Sequence, residues 1–122
     1  MKTYLYRLPK EFFGAMTGSP AGPRKIYISG KISGRAEEAR EEFARAQRLL
    51  QDLGHSAVNP FENGLGEDAP WERHLAADLL ALLECDAVLL LPGWEESLGA
   101  RLEREVAMRR NLPVLTLDAP RP

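Results

Sequence analysis

Five apolar residues in succession, Ala87-Val88-Leu89-Leu90-Leu91, closed by Pro92-Gly93, constrain this fold more than any other feature of the chain. A strand with one wet face would alternate polar and apolar residues. An uninterrupted run this short, stopped by Pro-Gly, is the pattern of a strand buried on both faces of a parallel sheet. Three further runs are of strand length. Ile26-Tyr27-Ile28-Ser29 ends at Gly30, Ser56 to Asn59 is closed by Pro60, and Val114 to Leu117 comes last.

Helical periodicity fills the intervals. Ala36 to Leu53 carries an apolar stripe of Phe43, Ala46, Leu49, Leu50 and Leu53, and Gly54 stops it. Trp71 to Glu84 is expected to bury Leu75, Leu79, Leu82 and Leu83. Leu98 to Arg110 is expected to turn Leu98, Leu102 and Val106 inward, ending at Asn111 and Pro113. Strands alternating with helices predict an α/β fold, a doubly wound (flavodoxin- or Rossmann-like) parallel sheet with right-handed crossovers and helices on both faces. The order 2-1-3-4 fits best. It puts the ligand crevice at the carboxyl ends of the first and third strands, where the loops Gly30 to Arg35 and Pro92 to Ser97 begin.

Residues 1–24 differ from the rest. Gly14, Gly18, Ser19, Pro20, Gly22 and Pro23 break any regular element, while Tyr4, Tyr6, Phe12 and Phe13 are apolar enough to pack on something. We read them as an N-terminal arm preceding one domain over 25–122.

Composition excludes several classes. With 16 basic and 18 acidic residues the net charge is −2, no footprint for nucleic acid or a membrane surface. One cysteine, Cys85, allows no intrachain disulfide, and Lys2, Arg7, Lys10 and Glu11 interrupt any signal-peptide core. The expectation is a cytoplasmic protein without membrane or nucleic-acid partners. Neither a Walker motif nor GxGxxG is present, and His55, His74 and Cys85 lack metal-ligand spacing. No cofactor or metal is expected, the two histidines read as structural or surface residues, and Cys85 reads as a core residue.

Three places could carry chemistry. The loop Ser29-Gly30-Lys31-Ile32-Ser33-Gly34-Arg35 opens a helix, where backbone amides suit an anion or a sugar hydroxyl; it also reads as a plain tight turn. Asp78 lies at the edge of the apolar stripe of its helix, as a site carboxylate or a surface one. Glu103 is turned about 100° from Leu102, toward the flank of Gly99 and Ala107, where a ligand has room to approach. The helix dipole is expected to favour its ionised form. Among Glu95, Glu96, Arg101, Arg104 and Glu105, it also reads as a solvated glutamate. Trp94 either covers a ligand or packs on Trp71.

In this order and spacing the pieces resemble the nucleoside 2-deoxyribosyltransferase superfamily, above all its small nucleotide N-glycosidases and a related bacterial and phage family of undefined function. The similarity runs from Lys25 to Leu117. It rests on Ile26 to Gly30, on Asp78 with the Cys85 to Leu91 strand, on Ser97 to Glu103 with Ala107, and on Asn111 to Val114. The resemblance implies cleavage of an N-glycosidic bond, by hydrolysis or by transfer to a second base. Glu103 would be the nucleophile, Asp78 the proton handler and Tyr27 the residue orienting Glu103. It implies a nucleoside or nucleotide substrate lined by Ser29, Gly30, Ile32, Ser33, Arg35, Trp94, Ser97 and Gly99. Ser33, Arg35 and Ser97 would hold a 5′-hydroxyl or 5′-phosphate. It also implies homo-oligomers whose sites are completed across an interface. Two alternatives stay open: a module of the same fold that senses a nucleotide derivative without turnover, and an interaction protein using the fold as a scaffold.

Overall fold

The computed structural model describes the two-residue strand Leu5–Tyr6 and residues 23–118. Its elements are β1 (Leu5–Tyr6), β2 (Lys25–Ser29), α1 (Ala36–Asp52), β3 (Ser56–Val58), α2 (Trp71–Leu83), β4 (Ala87–Leu90), α3 (Leu98–Arg109) and β5 (Val114–Asp118). Short 3-10 turns occupy Pro60–Glu62 and Trp94–Glu96. The expected alternation is present, with ends shifted by a residue or so.

The sheet order is β1-β5-β4-β2-β3. From β3 to β5 all neighbours are parallel, so the four strands expected from the sequence stand in the order 2-1-3-4. β1 adds to the free edge of β5 antiparallel, with Tyr6 opposite Leu117. Two residues of the N-terminal segment thus extend the sheet; Tyr4, Phe12 and Phe13 lie outside the described residues.

Strand alternation divides the core. Ile26, Ile28, Ala87, Leu89, Leu115 and Leu117 pack on the face covered by Ala39, Phe43, Ala46 and Leu50 of α1. Tyr27, Val88 and Leu90 point the other way, toward Leu82, Cys85 and Ala107. In register, Tyr27 stands beside Val88 and Ser29 beside Leu90. Tyr27 and Ser29, two apart, therefore project from the same face at the carboxyl end of β2.

Two helix faces differ from expectation. Leu98 and Leu102 of α3 are 53% and 37% exposed, and Ala100, Glu103 and Ala107 are the buried residues instead. In α2 only Leu82 is fully buried, while Leu83 is exposed. The alternative stripe on α3, with steps of three and four, is as compatible with a helix as the expected one, with steps of four. Its small alanines let the helix approach the sheet closely, so the bulky leucines are displaced to the flanks. Val106 still packs against the core. Among the described residues, no helix is long and apolar enough to cross a membrane.

Candidate active site

The rotation of α3 that exposes its leucines carries Glu103 inward, where it is 6% exposed. The Tyr27 hydroxyl donates to Glu103 Oε2 at 2.5 Å, and the Ser29 hydroxyl donates to Oε1 at 2.7 Å. Each carboxylate oxygen thus has its own donor, supplied by the one face of β2 that meets α3. Burial pushes the Glu103 carboxyl up to about 7; the two hydroxyl donors pull the other way, and Asp78 pushes up further. The expected bias toward ionisation is corrected here. Glu103 is the sixth residue of α3, beyond the turn in which the dipole acts strongly, and desolvation prevails. Burial, reinforced by Glu103 and Asp78, keeps the Tyr27 hydroxyl well above the ordinary range, so it remains a donor.

Glu103 and Asp78 line one cavity of about 430 Å³, together with Gly30, Ile32, Ser33, Ser97 and Gly99. The cavity lies at the carboxyl end of β2, where the strand order reverses. Asp78 is half-buried; burial raises its carboxyl, while the Asn63 amide and His74 act against that. Gly30 is glycine because of packing: an added Cβ would meet Leu91 Cβ at 3.1 Å and the Phe43 ring at 3.2 Å. Gly99 is open, its nearest neighbour for an added Cβ being Ser97 Oγ at 3.9 Å. Ser97 caps α3, its Oγ accepting from the Ala100 N–H at 3.1 Å.

Three residues grouped with the substrate have other partners. Ser29 spends its hydroxyl hydrogen on Glu103. Arg35 pairs with the buried Glu42 and with Glu38, donates to the Lys31 carbonyl, and is not among the cavity-lining residues. It staples the first loop to α1. Trp94 packs against the core cluster that includes Tyr27 and Leu90, with the Arg104 guanidinium 5.3 Å from its ring centroid, and does not line the cavity.

The cavity also has walls that the sequence left as loop or isolated residues. Phe61 stands edge-on to Phe43, with ring centroids 5.3 Å apart, and carries the Arg40 guanidinium over its ring, 4.6 Å from the centroid. Trp71, Asn63 and His74 line the cavity too. Asn63 reads in sequence as a turn residue and His74 as an isolated histidine; the four-residue spacing of His74 and Asp78 on one helix face was the available signal. His55 is buried, its Nδ1 accepting from the Arg24 N–H at 2.9 Å, and Cys85 is a core residue whose thiol burial lifts to about 11. No group of three or more His, Cys, Asp or Glu among the described residues has metal-binding geometry.

A doubly wound α/β domain with two carboxylates converging at its switch point defines the class. Residues 24–116 match the family model described as a domain of unknown function, DUF4406, and the chain belongs to that family. The fold is also that of 2-deoxyribosyltransferases. The enzyme from Bacillus psychrosaccharolyticus, described as a biocatalyst for nucleoside synthesis, superposes with a TM-score of 0.59 at 23% identity, covering 74% of this chain and 69% of that one. The enzyme from Leishmania mexicana gives a TM-score of 0.62 at 17% identity, covering 77% of this chain and 63% of that one. This chain thus spans under two thirds of the second enzyme's length. No curated protein matches the chain.

Proposed function

We propose that this protein cleaves the N-glycosidic bond of a nucleoside or nucleotide through a glutamate nucleophile. The observation that carries this is the Glu103 carboxylate, buried in a ligand-sized cavity, with a hydroxyl on each oxygen and a second carboxyl, Asp78, on the same cavity. A buried glutamate with no cationic partner among its hydrogen bonds costs stability, and such a cost is usual where chemistry uses the group.

Ionised Glu103 attacks the anomeric carbon. As the C1′–O bond forms, the C1′–N bond breaks, and Asp78 gives its proton to a ring nitrogen of the departing base. The result is a glycosyl ester on Glu103, a neutral base and an Asp78 carboxylate. Water, or the nitrogen of a second base, then attacks C1′; its proton passes to Asp78 and Glu103 leaves as carboxylate. Tyr27 and Ser29 hold Glu103 in one rotamer throughout. Ser33, Ser97 and Gly99, on the loop side of the cavity, accommodate the sugar and its 5′ group.

The protein acts in the cytoplasm as a homo-oligomer on this reading. Exposed Leu80, Leu98 and Met108 on the outer helix faces support self-association, which sedimentation at micromolar concentration tests. The activity is tested with the common nucleosides and their 5′-monophosphates, scored for released base by chromatography. Release of base from at least one, lost in Glu103→Gln, is expected. Binding of a nucleotide without release from any substrate would favour the sensor.

A further inference from the structure

Asp78 is held by a hydrogen-bond chain that the two-carboxylate mechanism does not use. Asn63 Nδ2 donates to Asp78 Oδ1 at 3.1 Å and lies 3.1 Å from His74 Nδ1. Its Oδ1 accepts from the Leu65 N–H at 2.9 Å. His74 Nε2 lies 3.1 Å from the Gly66 carbonyl. Every hydrogen in this chain can be assigned. The Leu65 N–H must face an acceptor, which identifies the Asn63 oxygen and places its NH2 between Asp78 and His74. That NH2 has two hydrogens and two acceptors, so His74 Nδ1 carries a lone pair. The Gly66 carbonyl can only accept, so Nε2 carries the hydrogen. The neutral imidazole of His74 is thereby held as its Nε2–H tautomer.

We propose that Asn63 and His74 are positioning residues for Asp78: His74 fixes the Asn63 amide, and that amide occupies Asp78 Oδ1, leaving Oδ2 to carry the proton given to the leaving base. This rests on the N-glycosidic reading of the site. The loop Asn63 to Gly66 wraps the imidazole, so loop placement and acid placement are one arrangement. A bare turn needs no such chain, since its glycines and the Leu65 N–H bond to Asn63 already form it.

Two substitutions at His74 separate the roles of the ring nitrogens. His74→Asn puts an amide oxygen near the former Nδ1 and keeps the acceptor for Asn63. His74→Gln reaches the Nε2 position and keeps the contact to Gly66 but loses that acceptor. The probes are 2′-deoxyguanosine 5′-monophosphate and its N7-methylated form, whose base is already cationic and departs without a proton from Asp78. His74→Gln and Asn63→Ala are expected to lose at least ten times more kcat on the unmethylated probe than on the methylated one, with His74→Asn recovering most of the difference. Equal losses on both probes would overturn the proposal, because a merely structural role slows both. If the parent releases base from neither probe, the N-glycosidic reading fails, and NMR decides the hydrogen-bond chain separately. In 15N-histidine spectra His74 must show the Nε2–H tautomer, and in 13C-carboxyl spectra Asp78 must titrate at a higher pH in His74→Gln than in His74→Asn. An Nδ1–H tautomer, or identical titrations, overturns it.

Discussion

Tyr27 and Glu103, 76 positions apart in sequence, meet in a 2.5 Å hydrogen bond that is buried on both sides. The phenol comes from the strand and the carboxylate from the helix above it, so the contact exists only when α3 is docked on the sheet. It couples the integrity of the fold to the state of the Glu103 carboxyl.

Glu103→Gln is expected to reduce base release by at least about 1,000-fold, since an amide keeps the shape but not the nucleophilicity of the carboxylate. The same substitution should raise stability at alkaline pH. The Glu103 carboxyl is held at about 7 in the fold against an ordinary 4.5. Its contribution is therefore fully present below about pH 4.5 and lost as pH rises through about 7. The difference corresponds to at most about 3 kcal/mol. Thermal melts at pH 8.5 should show the variant melting higher than the parent, with the gap closing by pH 4; a lower melting temperature at pH 8.5 would contradict the burial cost.

The pH profile of kcat/KM should have an acid limb near 7, because attack requires ionised Glu103. Tyr27→Phe removes one of the two donors that favour the carboxylate, so this limb moves to higher pH. Folding should weaken by only about 1–3 kcal/mol, the cost of one lost buried hydrogen bond. A limb that stays in place or moves to lower pH would remove Tyr27 from its assigned role.

Two glycines should respond oppositely to alanine. Gly30→Ala forces Leu91 and Phe43 apart and should destabilise the fold by about 1–3 kcal/mol, read as a lower urea midpoint. Gly99→Ala meets no close neighbour but places a methyl on the cavity wall, so it should fold normally and raise KM. An unchanged KM would mean that the substrate does not pass over the start of α3.

Arg35→Ala should act on stability rather than on 5′-phosphate affinity. It leaves the buried Glu42 without its ion pair and frees the first loop, at about 1–3 kcal/mol. If the variant keeps parental stability yet loses selectivity for monophosphates over nucleosides, Arg35 belongs to the substrate after all.

Local pattern sufficed for much of this protein. The continuous Ala87–Leu91 run, the turn residues and the helical periods determined a parallel sheet in the order 2-1-3-4 and the place of its crevice, because burial on two faces permits no polar interruption. The period of two in β2 put Tyr27 and Ser29 on one face. Tertiary structure alone decided which face of α3 meets that strand. Periodicity gives a residue's phase on its own helix, and α3 carries two stripes about 130–150° apart, one of leucines and one of Ala100, Glu103 and Ala107. Close approach to the sheet selects the small residues, and that choice buries Glu103. The same limit hid Asn63 and His74 and the partners of Arg35 and Trp94: a side chain's partner across a fold is set by the packing of distant elements, about which its sequence neighbours carry no record.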